Sequence, residues 1–197
     1  MIVRDDPSKL IVGNKKALLI NPPIYDTQYW AYWSQPHGLL KIATWLRKHH
    51  GYTNLRLLDC LATDERRRVK FRRRPGNRAI VQRGNIERPM WEYGWPLEKL
   101  RQELERHARG ELFRPEEVWI TSIMTYWWES TRDVVRLVQE VFDKPRPRIY
   151  VGGVYPTLCP EHADAKLSDA EEIIVVAGEI CDEAANAWTD LSLYRDE

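Results

Sequence analysis

Apolar residues along this chain gather into five short runs, and between the runs they recur every three or four positions. The runs are residues 17–20, 55–61, 118–124, 149–151 and 173–176. Runs this short and this continuous predict strands buried on both faces. In the first gap, Leu39, Ile42, Ala43 and Leu46 fall on one helical face over 36–50, with Gly51 as the stop. Leu97, Leu100, Leu104 and Ala108 do the same over 96–108. Val134, Val138, Val141 and Phe142 predict a third helix, with Ser130 as its cap. A short helix is expected over 161–167. A last one is expected over 180–191, where Ile180, Ala184, Ala187, Trp188 and Leu191 share a face. Strands alternating with helices predict an α/β fold, a parallel sheet covered on both sides.

Five such units fit a flavodoxin-like, Rossmann-like sheet in the order 2-1-3-4-5, with the switch point between strands one and three. Ligands of such sheets lie outside the carboxyl ends of the strands. Those ends are the places where the apolar pattern breaks: Asn21-Pro22-Pro23, Thr121-Ser122, Gly152-Gly153 and Gly178-Glu179. The stretch 148–162 is the densest. Ile149, Tyr150 and Val151 run into two glycines, whose missing Cβ lets something bulky approach the backbone. Thr157 adds a hydroxyl, and Pro160 and Glu161 suit a first helical turn. Valine in place of Gly153 is accordingly expected to block a ligand and leave the fold largely intact. Two prolines take the chain out of the sheet after Asn21, and 24–35 reads as a loop rich in aromatics: Tyr25, Tyr29, Trp30, Tyr32 and Trp33.

Composition narrows the classes. The chain has 197 residues, 43% of them hydrophobic, and a net charge of +1, so no global charge draws it to nucleic acid or acidic membranes. No apolar run approaches the ~18 residues of a membrane span, and the first residues lack a secretory h-region. Cys60, Cys159 and Cys181 are odd in number and scattered, which points to a reducing, cytoplasmic setting. Residues 1–16 read as a lead-in arm, and 64–96 as a basic and aromatic insertion after the second strand. Within 64–88 ten basic residues face three acidic ones, a local excess of +7. Two readings stay open for it: a nucleic-acid-binding arm, or a surface insertion docked on acidic neighbours or a partner. The second is favoured, because only Phe71 interrupts the arginines with a ring that could stack on bases. Trp91, Tyr93 and Trp95 then pin the insertion to the body. No Walker loop, no G-x-G-x-x-G after the first strand and no acidic pair there is found. Asp59, Asp64 and Glu65 read as a solvated loop, and Cys159 beside His162 has no third group to orient it.

The ordered set Asn21-Pro22-Pro23, Pro36-His37-Gly38-Leu39-Leu40, Asp59, Thr121-Ser122, Gly152-Gly153-Val154-Tyr155-Pro156-Thr157 and Gly178-Glu179 resembles the cobalamin-binding domain at the N-terminus of cobalamin-dependent radical S-adenosylmethionine enzymes. The resemblance covers nearly the whole chain except the basic insertion. It implies a corrin ring across the carboxyl edge of the sheet and a nucleotide tail in a slot beside the central strands. Ser122 would meet the tail, and Gly152 and Gly153 would let it pass. The implied contact set is completed by Asn21, Pro22, Pro23, Thr125, Tyr126, Val154, Tyr155, Thr157, Leu158, Gly178 and Glu179. Cobalamin would relay a methyl group or assist a rearrangement on a substrate held by the catalytic domain. Two departures stand out. The C-x-x-x-C-x-x-C spacing that holds an iron–sulfur cluster is missing, so cluster and S-adenosylmethionine would belong to a separate domain, and this chain is either a fragment or a stand-alone carrier. The D-x-H-x-x-G motif is also missing: Asp26-Thr27-Gln28 has glutamine where the histidine would stand, so no histidine ligand to cobalt is expected, with His37 the nearest.

Overall fold

The computed structural model describes residues 14–27, 35–63, 69–75, 80–83 and 86–194. In chain order the elements are β1 (Lys15–Asn21), β2 (Ile24–Asp26), α1 (His37–His50), β3 (Tyr52–Asp59), β4 (Phe71–Arg73), β5 (Ile80–Arg83), β6 (Ile86–Pro89) and β7 (Trp91–Tyr93). They continue with α2 (Leu97–Ala108), β8 (Glu117–Thr121), α3 (Trp128–Val141), β9 (Arg148–Gly152), α4 (Val154–Leu158), α5 (Pro160–Leu167), β10 (Ile173–Val175) and α6 (Asp182–Ala185).

Five strands form one all-parallel sheet in the order β3-β1-β8-β9-β10. The five apolar runs are these strands, and side chains alternate between the two faces along each of them. On one face Leu18, Ile20, Val118, Ile120, Ile149 and Val151 pack against α2, α3 and α5 through Leu100, Leu104, Val134, Val138, Ala163 and Leu167. On the other, Ala17, Leu19, Leu55, Leu57 and Trp119 pack against α1 through Leu39, Leu40, Ala43 and Leu46. Gly51 ends α1 in the left-handed region at φ 68°, and its N–H bonds the Leu46 carbonyl.

Several boundaries differ from the sequence reading. The second strand starts at Tyr52 rather than 55 because its polar first residues still pair with Lys15 and Lys16, which therefore belong to β1 and not to a lead-in arm. Residues 1–13 of that arm lie outside the described residues. The third strand stops at Thr121, three residues short, because the Ser122 N–H turns to the Gly152 carbonyl at 2.8 Å and the chain enters a 3-10 turn at Thr125–Trp127. Ser130 does not cap α3. The helix starts at Trp128, and the Ser130 hydroxyl donates back to the Trp127 carbonyl at 2.8 Å.

The expected loop over 24–35 begins as a strand. Between β4 and β2 runs β7, antiparallel to both, in a second sheet of order β2-β7-β4, and β5 and β6 form a hairpin beside it. A strand of three residues is stable here because its partner arrives from the basic insertion, which no local pattern could show. The insertion is fastened by charge as well. Arg74 is only 6% exposed, lies 3.7 Å over the Tyr25 ring, and reaches Glu129 at 3.2 Å and Asp133 at 3.5 Å on α3. Arg72 pairs with Glu92 at 2.7 Å. Tyr93 is buried with Ile24, Leu61 and Trp127, as the pinning role requires. The aromatics at 29–33 and the arginines at 66–68 and 78 lie outside the described residues.

The last helix is the largest departure. Only Asp182–Ala185 is α-helical, followed after a break by a 3-10 turn at Leu191–Tyr194. From Ala185 on, the segment turns several of its polar groups to α1 rather than continuing a helical ladder. Lys41 Nζ donates to the Ala185 carbonyl at 2.7 Å and Thr44 Oγ1 to the Trp188 carbonyl at 2.6 Å. The Asp190 N–H reaches the Leu40 carbonyl at 3.2 Å, and Arg47 holds the Asp190 carboxylate at 2.9 Å. The segment ends where the Tyr194 hydroxyl donates to Asp59 at 2.6 Å. It is a strap across α1, and among the described residues no helix covers the sheet face over β9 and β10: Ile174, on that face, is exposed.

Candidate functional site

The residues singled out at the strand ends divide into two sets. Asn21, Pro22, Pro23, Ser122 and Tyr155 are buried and make internal contacts. Asn21 Nδ2 donates to Asp59 at 2.7 Å, tying the ends of β1 and β3. The crevice between β1 and β8, where the strand order reverses, is closed over by Ile24, Leu61 and Trp127 and holds a cavity of only about 10 Å3. That is room for no more than a water molecule. Trp127 is held there by its indole N–H, which donates to Asp26 at 3.0 Å.

Gly152, Val154, Thr157, Leu158, Tyr126, Thr125, Gly178 and Glu179 form the second set, and all of them reach solvent. The 3-10 turn carrying Tyr126 packs beside α4. Together Met124, Tyr126, Val154 and Leu158 expose an apolar rim, with Leu158 at 66%. Thr157 joins the two loops behind the rim. Its hydroxyl donates to the Gly153 carbonyl at 2.8 Å and accepts the Gly178 N–H at 2.9 Å.

The two glycines do different work. Gly153 sits at φ 109°, and a Cβ there would lie 2.6 Å from the Ser122 carbonyl oxygen and 3.1 Å from its nitrogen. Its missing side chain is filled by the protein's own backbone: the Tyr155 N–H bonds the Ser122 carbonyl at 3.1 Å across the same gap. The fold itself therefore accounts for a glycine at 153, which is exposed. At Gly152 a Cβ would meet nothing closer than Val176, at 3.8 Å. Among the described residues nothing packs close enough to require that glycine, and its open side faces the trough over β9 and β10.

Strand alternation decides which hydroxyl accompanies Gly152. Ser122 was expected to share its ligand. The Ser122 hydroxyl instead accepts from Thr131 of α3 at 2.9 Å, on the opposite face. Thr121 is the residue in register with Gly152, and it is half-buried on the trough side. The period of two from Trp119, which stacks on Tyr150 at 4.1 Å, carries this information, so the sequence did hold the signal. On this face Gly152 therefore follows the Trp119–Tyr150 stack along the strands, with Thr121 in register beside it and Val176 as its nearest neighbour.

Of the histidines, His37 is exposed at the first residue of α1, and His162 lies in the first turn of α5. The Tyr155 hydroxyl is 2.7 Å from His162 Nδ1. Burial, with the Cys159 thiol second, pushes the Tyr155 hydroxyl up to about 12, so it keeps its proton beside the imidazole. His162 is thus oriented by Tyr155 and not by Cys159. Cys60 is fully buried, and burial raises its thiol well above the ordinary range, which makes it inert. Asp59 is buried and accepts from Asn21, Tyr194 and the Leu61 N–H; residues 64 and 65 lie outside the described residues. Among the described residues no three His, Cys, Asp or Glu side chains gather to hold a metal ion, and no helix is long and apolar enough to cross a membrane. No protein-family model matches this chain, and no curated protein is significantly similar to it.

Proposed function

We propose that this is a flavodoxin-like cofactor platform, that its ligand is cobalamin, and that it serves a radical S-adenosylmethionine catalytic domain outside this chain. The observation that carries the reading is the open trough at Gly152, next to Thr121 and below an exposed apolar rim. Cobalamin has two parts to place, a broad macrocycle and a nucleotide tail. The rim of Met124, Tyr126, Val154 and Leu158 is apolar enough to receive the macrocycle. The trough gives the tail a glycine to lie against and a hydroxyl to bond. The crevice between β1 and β8 takes no part, because it is filled. Asn21, Pro22, Pro23 and Ser122 then shape the edge without touching the ligand, and Gly153 sets the turn that carries Val154.

When bound, the cofactor supplies a methyl-transfer or rearrangement centre, and the protein's share is to hold it and set its surroundings. No histidine is assigned below cobalt: His162 is engaged with Tyr155, and His37 points from a helix start into solvent. Three free cysteines suit a reducing, cytoplasmic setting.

The test is gel filtration of the full chain with hydroxocobalamin. Cobalamin absorbance is expected to co-elute near one equivalent, and the cob(II)alamin spectrum to lack nitrogen superhyperfine splitting. Gly152→Val is expected to fold normally and lose the cofactor. A native chain that carries no absorbance, or a folded Gly152→Val chain that binds as tightly as native, overturns the proposal.

A further inference from the structure

The basic insertion carries a cavity apart from the carboxyl edge of the sheet. Beside the β5–β6 hairpin lies a cavity of about 230 Å3 lined by Arg73, Glu87, Arg88, Pro89 and Trp91. Of the three consecutive arginines, Arg72 and Arg74 are spent on Glu92, Glu129 and Asp133. Arg73 points to the other face of its strand. It is exposed, as is Arg88 across the cavity, and neither has a carboxylate within ion-pair distance among the described residues. Two guanidinium groups without an ion pair among the described residues line one small cavity against a single carboxylate, Glu87, and an anion between them satisfies the remaining positive charge.

The cavity also has rings. Antiparallel pairing sets Trp91 directly opposite Arg73 and Tyr93 opposite Phe71. Phe71 is 44% exposed and meets the Trp91 ring edge-on at 5.6 Å. In the sequence Phe71 is the sole ring among the arginines, and that absence argued against nucleic acid. The fold removes the objection, since β7 brings an indole beside Arg73 that local sequence does not. Guanidinium groups with an aromatic face recognise a phosphate joined to a planar base. Glu87 adds an acceptor for an exocyclic amine. A volume of about 230 Å3 falls below the roughly 300–1,000 Å3 of pockets that enclose a whole small ligand. It suits one unit of a ligand that runs on across the surface.

We propose that the hairpin cavity binds a nucleotide unit of single-stranded nucleic acid, its phosphate between Arg73 and Arg88 and its base against Trp91. The test is fluorescence polarisation of the full chain with a labelled single-stranded RNA of ~10 nucleotides, at salt between about 50 and 200 mM, with adenosine monophosphate as competitor. Trp91→Leu is expected to weaken binding roughly 5- to 150-fold. Arg73→Gln and Arg88→Gln should each lower the salt slope by about 0.7. These two arginines are exposed, so their double variant tests the site without risk to the fold. Lys48→Gln with Arg136→Gln, exposed elsewhere, makes the same change in net charge. Greater loss in the Arg73/Arg88 pair than in this control supports the site. Binding of the mononucleotide alone also supports it and makes the source a free nucleotide. No binding of either probe, or equal loss in both charge pairs, overturns it.

Discussion

Alanine at Gly153 tests the packing of the β8 and β9 ends more sharply than any other change. The backbone there stands at φ 109°, ψ −167°, a region that residues with a Cβ avoid. Holding alanine in it costs about 1–3 kcal/mol. The new Cβ would also stand 2.6 Å from the Ser122 carbonyl oxygen, and the obstacle is backbone that cannot rotate away. Overpacking of that kind adds about 1–3 kcal/mol. The combined loss of roughly 2–6 kcal/mol is a large part of the ~5–15 kcal/mol that holds an ordinary domain together. Gly152→Ala is the internal control: its Cβ has ordinary contacts only, at 3.8 Å and beyond. It is expected to stay within about 0.5 kcal/mol of native. Urea unfolding followed by circular dichroism measures both. With a slope near 2 kcal/mol/M, Gly153→Ala shifts the midpoint down by about 1–3 M while Gly152→Ala leaves it in place. Equal midpoints for Gly153→Ala and native protein would refute the argument, and so would an equal fall in both variants. Valine at Gly153 is then a folding variant, and ligand tests belong at Gly152.

Two further outcomes follow from buried charge. His107 is fully buried on α2, its Nδ1 bonds the Phe113 carbonyl at 2.7 Å, and its Nε2 has no partner. Burial lowers its pKa below the ordinary value, so its stabilising effect is complete above about pH 6.5 and is lost as pH falls from there through the lower folded value. Melting temperature should therefore drop between neutral and mildly acidic pH, and His107→Gln should flatten that part of the profile; an unchanged slope would remove His107 as the cause. Arg74→Met takes the shared guanidinium away from Glu129 and Asp133 beside Tyr25, while Glu92 keeps Arg72, and should cost about 3 kcal/mol, the low end for breaking a buried pair because Glu129 keeps access to water. A loss below about 1 kcal/mol in urea unfolding would show that the second sheet does not depend on it.

The α/β class and the five strands of the parallel sheet were legible because buried strands write themselves as unbroken apolar runs. The helix over 180–191 was not, although its spacing is regular. Periodicity reports which side chains want burial, and it is silent on whether α1 offers the backbone better partners through Lys41, Thr44 and Arg47. The second sheet was hidden for a related reason, since β2 exists only through pairing with β7. At the candidate site the strand ends were readable, but the side each residue faces was read less well. Ser122 was taken from the resemblance, whereas counting by twos from Trp119 puts Thr121 on the side of Gly152. Gly152 and Gly153 look alike in sequence, and only the distance to Ser122 separates a glycine that the fold needs from one that it does not.

The stacked pair Trp119–Tyr150 makes the β8–β9 pairing visible to light. Their rings lie 4.1 Å apart and 9° from parallel, in a packed and asymmetric setting. Electronic transitions of rings so close and so fixed couple, and that coupling belongs in the near-ultraviolet dichroism of the folded chain. A slip of one residue between the strands would turn Trp119 to the α3 side and Tyr150 away from it, and the coupled band would vanish while helix content stayed the same. Because the same two rings share the face of Gly152, their band is also an optical gauge of anything that settles there.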